Sequence, residues 1–238
     1  MTVDCEVKPV LKWVGGKRQL VPDIREFYKN LSPNKYVEPF FGGGAVYFDI
    51  LNTLGIKHKE TAIINDANRD LIDMYKNIKR NPEELIYFCN ALKKDYKKYD
   101  YYFIREKFNG IDSYKNKIDK YEGIERSAAL IVINRTCFNG LYRVNSNGIF
   151  NVPKGSYKNP TIVDEENLHK LSLLLPKTKN IRCKEFDDIK EISKGDLVYF
   201  DPPYHPLNET SSFTSYSGAF GREEQIRLRD YFDKLNKK

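Results

Sequence analysis

The chain has little of what builds metal centres, disulfide frameworks or membrane spans. Its 238 residues include four cysteines, three histidines, two methionines and one tryptophan. Cys5, Cys89, Cys137 and Cys183 lie far apart and no Cys-x-x-Cys occurs, which argues against zinc and against a disulfide-stapled scaffold. His58, His169 and His205 are equally scattered, so no metal is expected. The longest apolar run, Ala128 to Ile133, is far too short to cross a bilayer. Charged Asp4 and Glu6 stand where a secretory signal would need apolar residues. A reduced, cytoplasmic protein without a membrane partner is the expectation, with room for one large domain or two small ones.

Charge is present in excess of one sign, and its location is informative. The chain carries 40 Lys and Arg against 33 Asp and Glu, a net +7. Between Arg69 and Val163 stand 18 basic and 11 acidic residues, so this middle segment holds the whole excess. Such a segment suits contact with phosphates, although Lys93-Lys94-Asp95-Tyr96-Lys97-Lys98 also reads as a solvated helix face.

The hydrophobic pattern predicts a helix from Lys17 to about Tyr28, broken by Ser32-Pro33-Asn34. A short strand, Tyr36 to Phe40, runs into Phe41-Gly42-Gly43-Gly44 and a helix over Ala45–Leu54. Thr61 to Asp66 is a second strand. Helices are expected over Asp70–Lys79, Pro82–Lys94 and Glu125–Ile133, followed by a polar stretch from Asn134 to Pro160 with few periodic features. Ile181 to Phe186 and Leu197 to Phe200 read as the third and fourth strands, the last as a buried one behind the Gly195 turn. A strand, a glycine turn, a helix and a strand imply a βαβ unit and a parallel sheet, with the basic helical segment inserted into it.

Three clusters carry chemistry. Asp201-Pro202-Pro203-Tyr204 places an acid at the carboxyl end of a strand, where open α/β sheets bind ligands. The prolines stiffen the chain and lack N–H groups, and a ring follows. Acid, carbonyl and ring suit a planar substrate bearing an amino group; a plain Pro-rich turn is the competing reading. The turn Phe40-x-Gly42-x-Gly44 lets backbone approach a ligand, yet Tyr47 stands where a dinucleotide fingerprint has its third glycine, and tight strand–helix packing explains it as well. Asp66 is spaced to accept ribose hydroxyls. Glu38 is open to reading as a solvated strand-end residue. Lys12-Trp13-x-Gly15-Gly16-Lys17 offers a ring and a lysine around paired glycines, or a tryptophan that caps a core.

Taken in order, Lys12-Trp13-x-Gly15-Gly16-Lys17, Glu38-Pro39-Phe40-x-Gly42-x-Gly44, Asn65-Asp66 and Asp201-Pro202-Pro203-Tyr204 resemble the motifs of the Dam-type, D12-class DNA adenine-N6 methyltransferases. Phe138-Asn139-Gly140-Leu141-Tyr142-Arg143-x-Asn145 and Phe150-Asn151-Val152-Pro153-x-Gly155-x-Tyr157-Lys158-x-Pro160 extend the resemblance. Within the family the chain is similar to the streptococcal restriction-system type that modifies GATC. The resemblance implies a Rossmann-like, S-adenosylmethionine-dependent sheet formed by residues 1–68 and 164–238, with an inserted helical target-recognition domain over 69–163. It implies S-adenosyl-L-methionine as methyl donor, touched by Trp13, Lys17, Phe40, Gly42, Gly44, Asp66, Glu185, Phe186 and Asp201. Asp201 and the Pro202 carbonyl would accept hydrogen bonds from the N6 amine of a flipped adenine while Tyr204 stacks on the base. Arg143 would read one guanine of duplex GATC and Lys12 the other, with Leu141 and Pro153 on base edges, Phe138 as a wedge and Asn139 on a phosphate. Core packing for Phe138 and Leu141, and a surface cation for Arg143, are the competing readings.

The implied setting is nucleoid DNA in the cytoplasm, either with a cognate restriction endonuclease as genetic partner or in a phage or orphan role. Relatives continue beyond the helix that starts near Arg222, so missing C-terminal strands and a truncated or split enzyme are expected. A non-catalytic DNA-binding remnant is the alternative, as is a methyltransferase acting on RNA or a small molecule. Thr210 to Tyr216 is expected to be a loop that orders on DNA.

Overall fold

A computed structural model describes residues 7–13, 15–203 and 220–237. They divide into two compact units. The described residues of the first fall within Gly15–Ile72 and Leu174–Lys238, those of the second within Val7–Val14 and Asp73–Leu173. Tyr204 and the segment Thr210 to Tyr216 lie outside the described residues.

The first unit is built on a four-stranded parallel sheet of order β3-β2-β1-β4, with β1 at Tyr36–Glu38, β2 at Ile63–Asn65, β3 at Ile181–Arg182 and β4 at Leu197–Val198. Val37 pairs with Ile63 on one side and Val198 on the other, and Ile64 pairs with Ile181. The strand order moves outward in one direction from β1 through β3, and then β4 adds to the opposite side of β1. That reversal opens a crevice at the carboxyl ends of β1 and β4, the place where open α/β sheets hold ligands.

β1 and β2 are buried throughout, as expected for a covered parallel sheet, with polar Glu38 and Asn65 only at their carboxyl ends. Val37 and Ile63 face a cluster with Phe186, Ile189, Ile192 and Tyr231, the last from α8 at Arg222–Asn236. Tyr36 points the other way, its ring 6.1 Å from that of Tyr47 on α2 at Ala45–Leu54. β4 differs from the sequence expectation. The run Leu197 to Phe200 was expected to be a buried strand, but only Leu197–Val198 is strand and both residues are partly exposed. The cause is position: among the described residues β4 pairs with β1 alone.

The predicted helix from Lys17 to Tyr28 is a single 3-10 turn, Lys17–Gln19, followed by a short α1, Val21–Arg25. What secures this segment is α2: Arg25 donates to Asp49 through Nε at 2.9 Å and also through Nη2, and Tyr28 donates to the same carboxylate.

In the second unit α6, Gly123–Thr136, is buried from Ser127 to Asn134 and forms the hub against which α4, Pro82–Tyr99, and α5, Tyr101–Asn109, pack. A helix buried all round has no polar stripe, which is why its sequence shows a continuous apolar run. α4 starts on Pro82 with Glu83 and Glu84 in its first turn and ends on Lys97 and Lys98, an arrangement that complements the helix dipole. α3, Arg69–Arg80, and α7, Glu165–Leu174, contain the borders between the units. Residues 7–13, placed by sequence with the first unit, pack within the second. Asn167 bonds both the N–H and the C=O of Lys8, at 2.8 Å each, and Arg135 donates to the Pro9 carbonyl at 2.9 Å.

Candidate functional site

The crevice of the first unit is lined by the ends of β1, β2 and β4. Glu38 closes β1. It is 3% exposed, so it is not the solvated strand-end residue that its sequence position allowed. Tyr36 donates its hydroxyl to Glu38 Oε2 at 2.8 Å, and the Tyr47 amide in the first turn of α2 is a second donor. Burial, reinforced by the charges of Asp201 and Asp66, holds the Glu38 carboxyl well above the usual range against the opposing pull of these donors.

The chain then turns through Phe41 to Gly44. Gly42 and Gly44 have φ of 49° and 71°, backbone that side-chain-bearing residues rarely adopt. At Gly44 the space is also taken: a Cβ there would stand 2.6 Å from the Phe41 ring. The turn is tied to the end of β2. Asp66 accepts the Gly42 N–H at Oδ2 and the Asn68 N–H at Oδ1, both at 2.9 Å. Burial pushes the Asp66 carboxyl up, and these two amides pull it down less strongly. A carboxylate has about four lone-pair sites. Two backbone donors therefore leave Asp66 with acceptor capacity beside the glycine turn.

Asn65, fully buried, laces three strand ends together. Its amide donates to the Pro39 carbonyl at 3.0 Å and the Lys184 carbonyl at 2.9 Å, and its oxygen accepts the Lys184 N–H at 3.0 Å. Phe40 packs on Phe186, ring centres 5.3 Å apart, and on Phe220 at 5.7 Å. Phe186 is therefore a buried wall, whereas Glu185 is exposed with Arg227 Nη2 3.6 Å away.

Asp201 follows β4 and is half-buried. Lys17 Nζ stands 2.6 Å from its Oδ1 and also donates to the Gly15 carbonyl at 2.8 Å. Burial pushes the Asp201 carboxyl up, and Lys17 opposes that shift without cancelling it. Pro202 continues the chain from Asp201. The structure thus brings Lys17, Asp201, Glu38, Gly42, Gly44 and Asp66 to one edge of one sheet.

The residues assigned from sequence to nucleic acid are gathered in the second unit. Lys12 is exposed, and its ammonium lies 3.8 Å from the centre of the Tyr157 ring. Asn134, buried in α6, accepts the Lys12 N–H at 2.8 Å and donates to the carbonyls of Lys12 and Gly140 at 3.3 and 2.8 Å. Gly140 has no room for a side chain, since a Cβ would stand 2.2 Å from that of Lys12. Trp13 packs on Tyr142 at 5.7 Å. Phe138 is 49% exposed, which removes the core reading for it; its N–H donates to the Pro153 carbonyl at 2.8 Å. Asn139 is exposed in a left-handed conformation, Leu141 is half-buried, and Pro153 is exposed. Arg143 is half-buried, with its Nε donating to Asn151 Oδ1 at 2.7 Å.

Sequence reading assigned no role to Asn65, Asn134 or Asn151. Asn65 and Asn151 stand within motifs of the resemblance, and Asn134 lies four residues before one. Among the described residues no group of His, Cys, Asp and Glu is arranged to hold a metal.

The sequence profile of the D12 class of N6 adenine-specific DNA methyltransferases matches residues 13–238. The type II methyltransferase M.MjaIII of Methanocaldococcus jannaschii is 45% identical over 98% of this chain and 82% of its own length. The type II methyltransferase M1.LlaDCHI of Lactococcus lactis subsp. cremoris is 43% identical over 98% of this chain and 78% of its own. A DNA adenine methylase of Vibrio cholerae is 35% identical over 95% and 76%. The acid after β4, the glycine turn after β1 and the profile agree, and the chain belongs to the D12 class of N6 adenine-specific DNA methyltransferases.

Proposed function

We propose that the chain transfers a methyl group from S-adenosylmethionine to adenine N6 within duplex GATC. The observation that carries this reading is the half-buried Asp201 at the switch point of the sheet, on the same edge as the glycine turn and Asp66. When bound, the donor supplies an electrophilic methyl group attached to a sulfonium. The first unit's residues fit such a molecule: Asp66 retains acceptor capacity for ribose hydroxyls, and the glycine turn brings backbone close beside it.

Asp201 is the acceptor for the exocyclic amine, with the Pro202 carbonyl as a second acceptor. Hydrogen bonds from N6 to these oxygens draw its hydrogens away from the attack direction and disperse the positive charge that develops on nitrogen. Lys17 favours the ionised form of Asp201, the stronger acceptor, against the effect of burial. Beyond this the chain contributes position: both reactants must be held in line, and the adenine must leave the base stack to be reached.

In the second unit Arg143 is the reader of one guanine, and Lys12 of the other. Phe138, exposed beside Pro153, suits a wedge, and the middle segment's excess charge suits phosphate contact. Relatives named type II methyltransferases favour a restriction-modification setting with a cognate endonuclease as genetic partner, acting on DNA in the cytoplasm.

The test is product analysis. Duplexes containing GATC, or the same bases scrambled, are incubated with donor and digested to nucleosides. N6-methyladenine confined to the GATC duplex supports the reading. Methylation that ignores the duplex sequence, or that appears only on RNA, contradicts it.

A further inference from the structure

The hairpin that carries Arg143 also carries the residue that aims it. Arg143 and Asn151 face each other across two antiparallel arms: the Asn151 N–H donates to the Arg143 carbonyl at 3.1 Å, Val144 bridges Phe150, and the Asn145 N–H donates to the Ile149 carbonyl at 2.9 Å. The second arm is fixed to α5 by three side chains. Asn109 bonds the N–H and the C=O of Phe150, at 3.0 and 2.9 Å, while Tyr101 and Arg105 donate to the Val152 carbonyl at 2.8 and 3.2 Å. Phe150 and Val152 are 1% and 0% exposed. Alternation along an extended arm then turns Asn151 to the opposite side, toward Arg143.

There Asn151 takes one whole edge of the guanidinium. Arg143 Nε donates to Asn151 Oδ1 at 2.7 Å, and Nη2 points to the Asn151 carbonyl at 3.4 Å. The end-on edge, Nη1 with the second hydrogen of Nη2, has no partner among the described residues. Two parallel N–H donors at fixed spacing are what guanine O6 and N7 accept in the major groove. A guanidinium free to rotate would lose conformational entropy on docking; one held by a residue anchored to a helix loses less.

We propose that Asn151 is a positioning residue for sequence discrimination, orienting the end-on edge of Arg143 for one guanine. This rests on the reading of Arg143 as a guanine reader, and the test separates the two. Methylation efficiency is measured on GATC duplexes in which one guanine at a time is replaced by 7-deazaguanine, which lacks the N7 acceptor. Wild type is expected to lose roughly tenfold at the guanine that Arg143 reads.

Asn151→Ala is expected to remove most of that penalty while keeping the penalty at the other guanine. Asn151→Asp, which keeps the acceptor, is expected to retain the discrimination even as its charge weakens binding to all duplexes. Asn151→Leu, similar in size without an acceptor, repeats the test if the alanine variant has no cooperative melt. Equal losses at both guanines with a shallower salt dependence would identify Asn151 as a phosphate contact and overturn the proposal, as would an unchanged penalty. If Arg143→Ala keeps both penalties, the guanine reading itself fails, and the role of Asn151 falls with it.

Discussion

Lys17 and Asp201 form a half-buried ion pair, Nζ to Oδ1 at 2.6 Å, with 14% and 23% of their side chains exposed. The pair joins the segment before α1 to the end of β4. A carboxylate in so dry a place tends to take up a proton, and Lys17 is the cation that resists this. Lys17→Met is therefore expected to raise the Asp201 pKa further, and under the proposed role, in which the ionised carboxylate is the stronger acceptor for the amine, the acidic limb of the rate profile moves to higher pH. Lys17→Arg keeps the charge and is expected to move it less. An acidic limb at the same pH in all three proteins would show that Asp201 does not set it.

Glu38 makes an opposite kind of statement, about stability. Its folded pKa is raised by burial, so the native state binds its proton more tightly than the unfolded chain, whose carboxyl titrates near ~4.3. Stability then declines as pH rises from that value toward the folded pKa. Glu38→Gln keeps an acceptor for Tyr36 and cannot ionise. Its melting temperature is expected to gain on the wild type as pH is raised through this window and to differ little below it. A constant difference at every pH would contradict the assignment.

Gly44 is irreplaceable for two reasons that act together. Its φ of 71° strains any side-chain-bearing residue, and the Phe41 ring occupies the Cβ position. Gly44→Ala is expected to cost about 2–4 kcal/mol in denaturant unfolding. Gly55, at φ 110° with open space at its Cβ position, carries the backbone penalty without a steric clash, so Gly55→Ala reports that penalty alone.

Asn134 is expected to matter for the second unit as a whole. Asn134→Ala leaves the Lys12 N–H and the Lys12 and Gly140 carbonyls without their partner. About 2 kcal/mol of stability should be lost. Limited proteolysis is expected to cut first near Lys12, the segment this side chain holds.

Much of the fold is legible in the sequence where local chemistry decides it. Ala45–Leu54 is framed by Gly44 and Gly55, both at positive φ, and its ends fall where the pattern puts them. The four strands stand where β-branched runs meet turn residues, although each is shorter than its apolar run. α5 was not legible, because the break before it is Asp100 at φ 80° rather than a glycine or proline, and Tyr101 to Ile104 reads as strand-like. α7 carries Asn167 and His169 and shows no clear stripe.

The site was legible as motifs and not as a network. Asp201, Asp66 and the glycine turn announce themselves by residue type. Asn65 and Asn134 do not, because their partners Lys184 and Lys12 are 119 and 122 residues away in the chain. Glu38 reads as a surface acid until the sheet is assembled around it.

The central claim is that Asp201 holds the amine that is methylated. It is tested most directly by single-turnover formation of N6-methyladenine on a GATC duplex, by wild type and Asp201→Ala, with donor and duplex binding measured alongside. The expected result is a rate loss on the order of 10²–10³ or more, with binding of both ligands largely kept. A variant that binds both and turns over at the wild-type rate would contradict it.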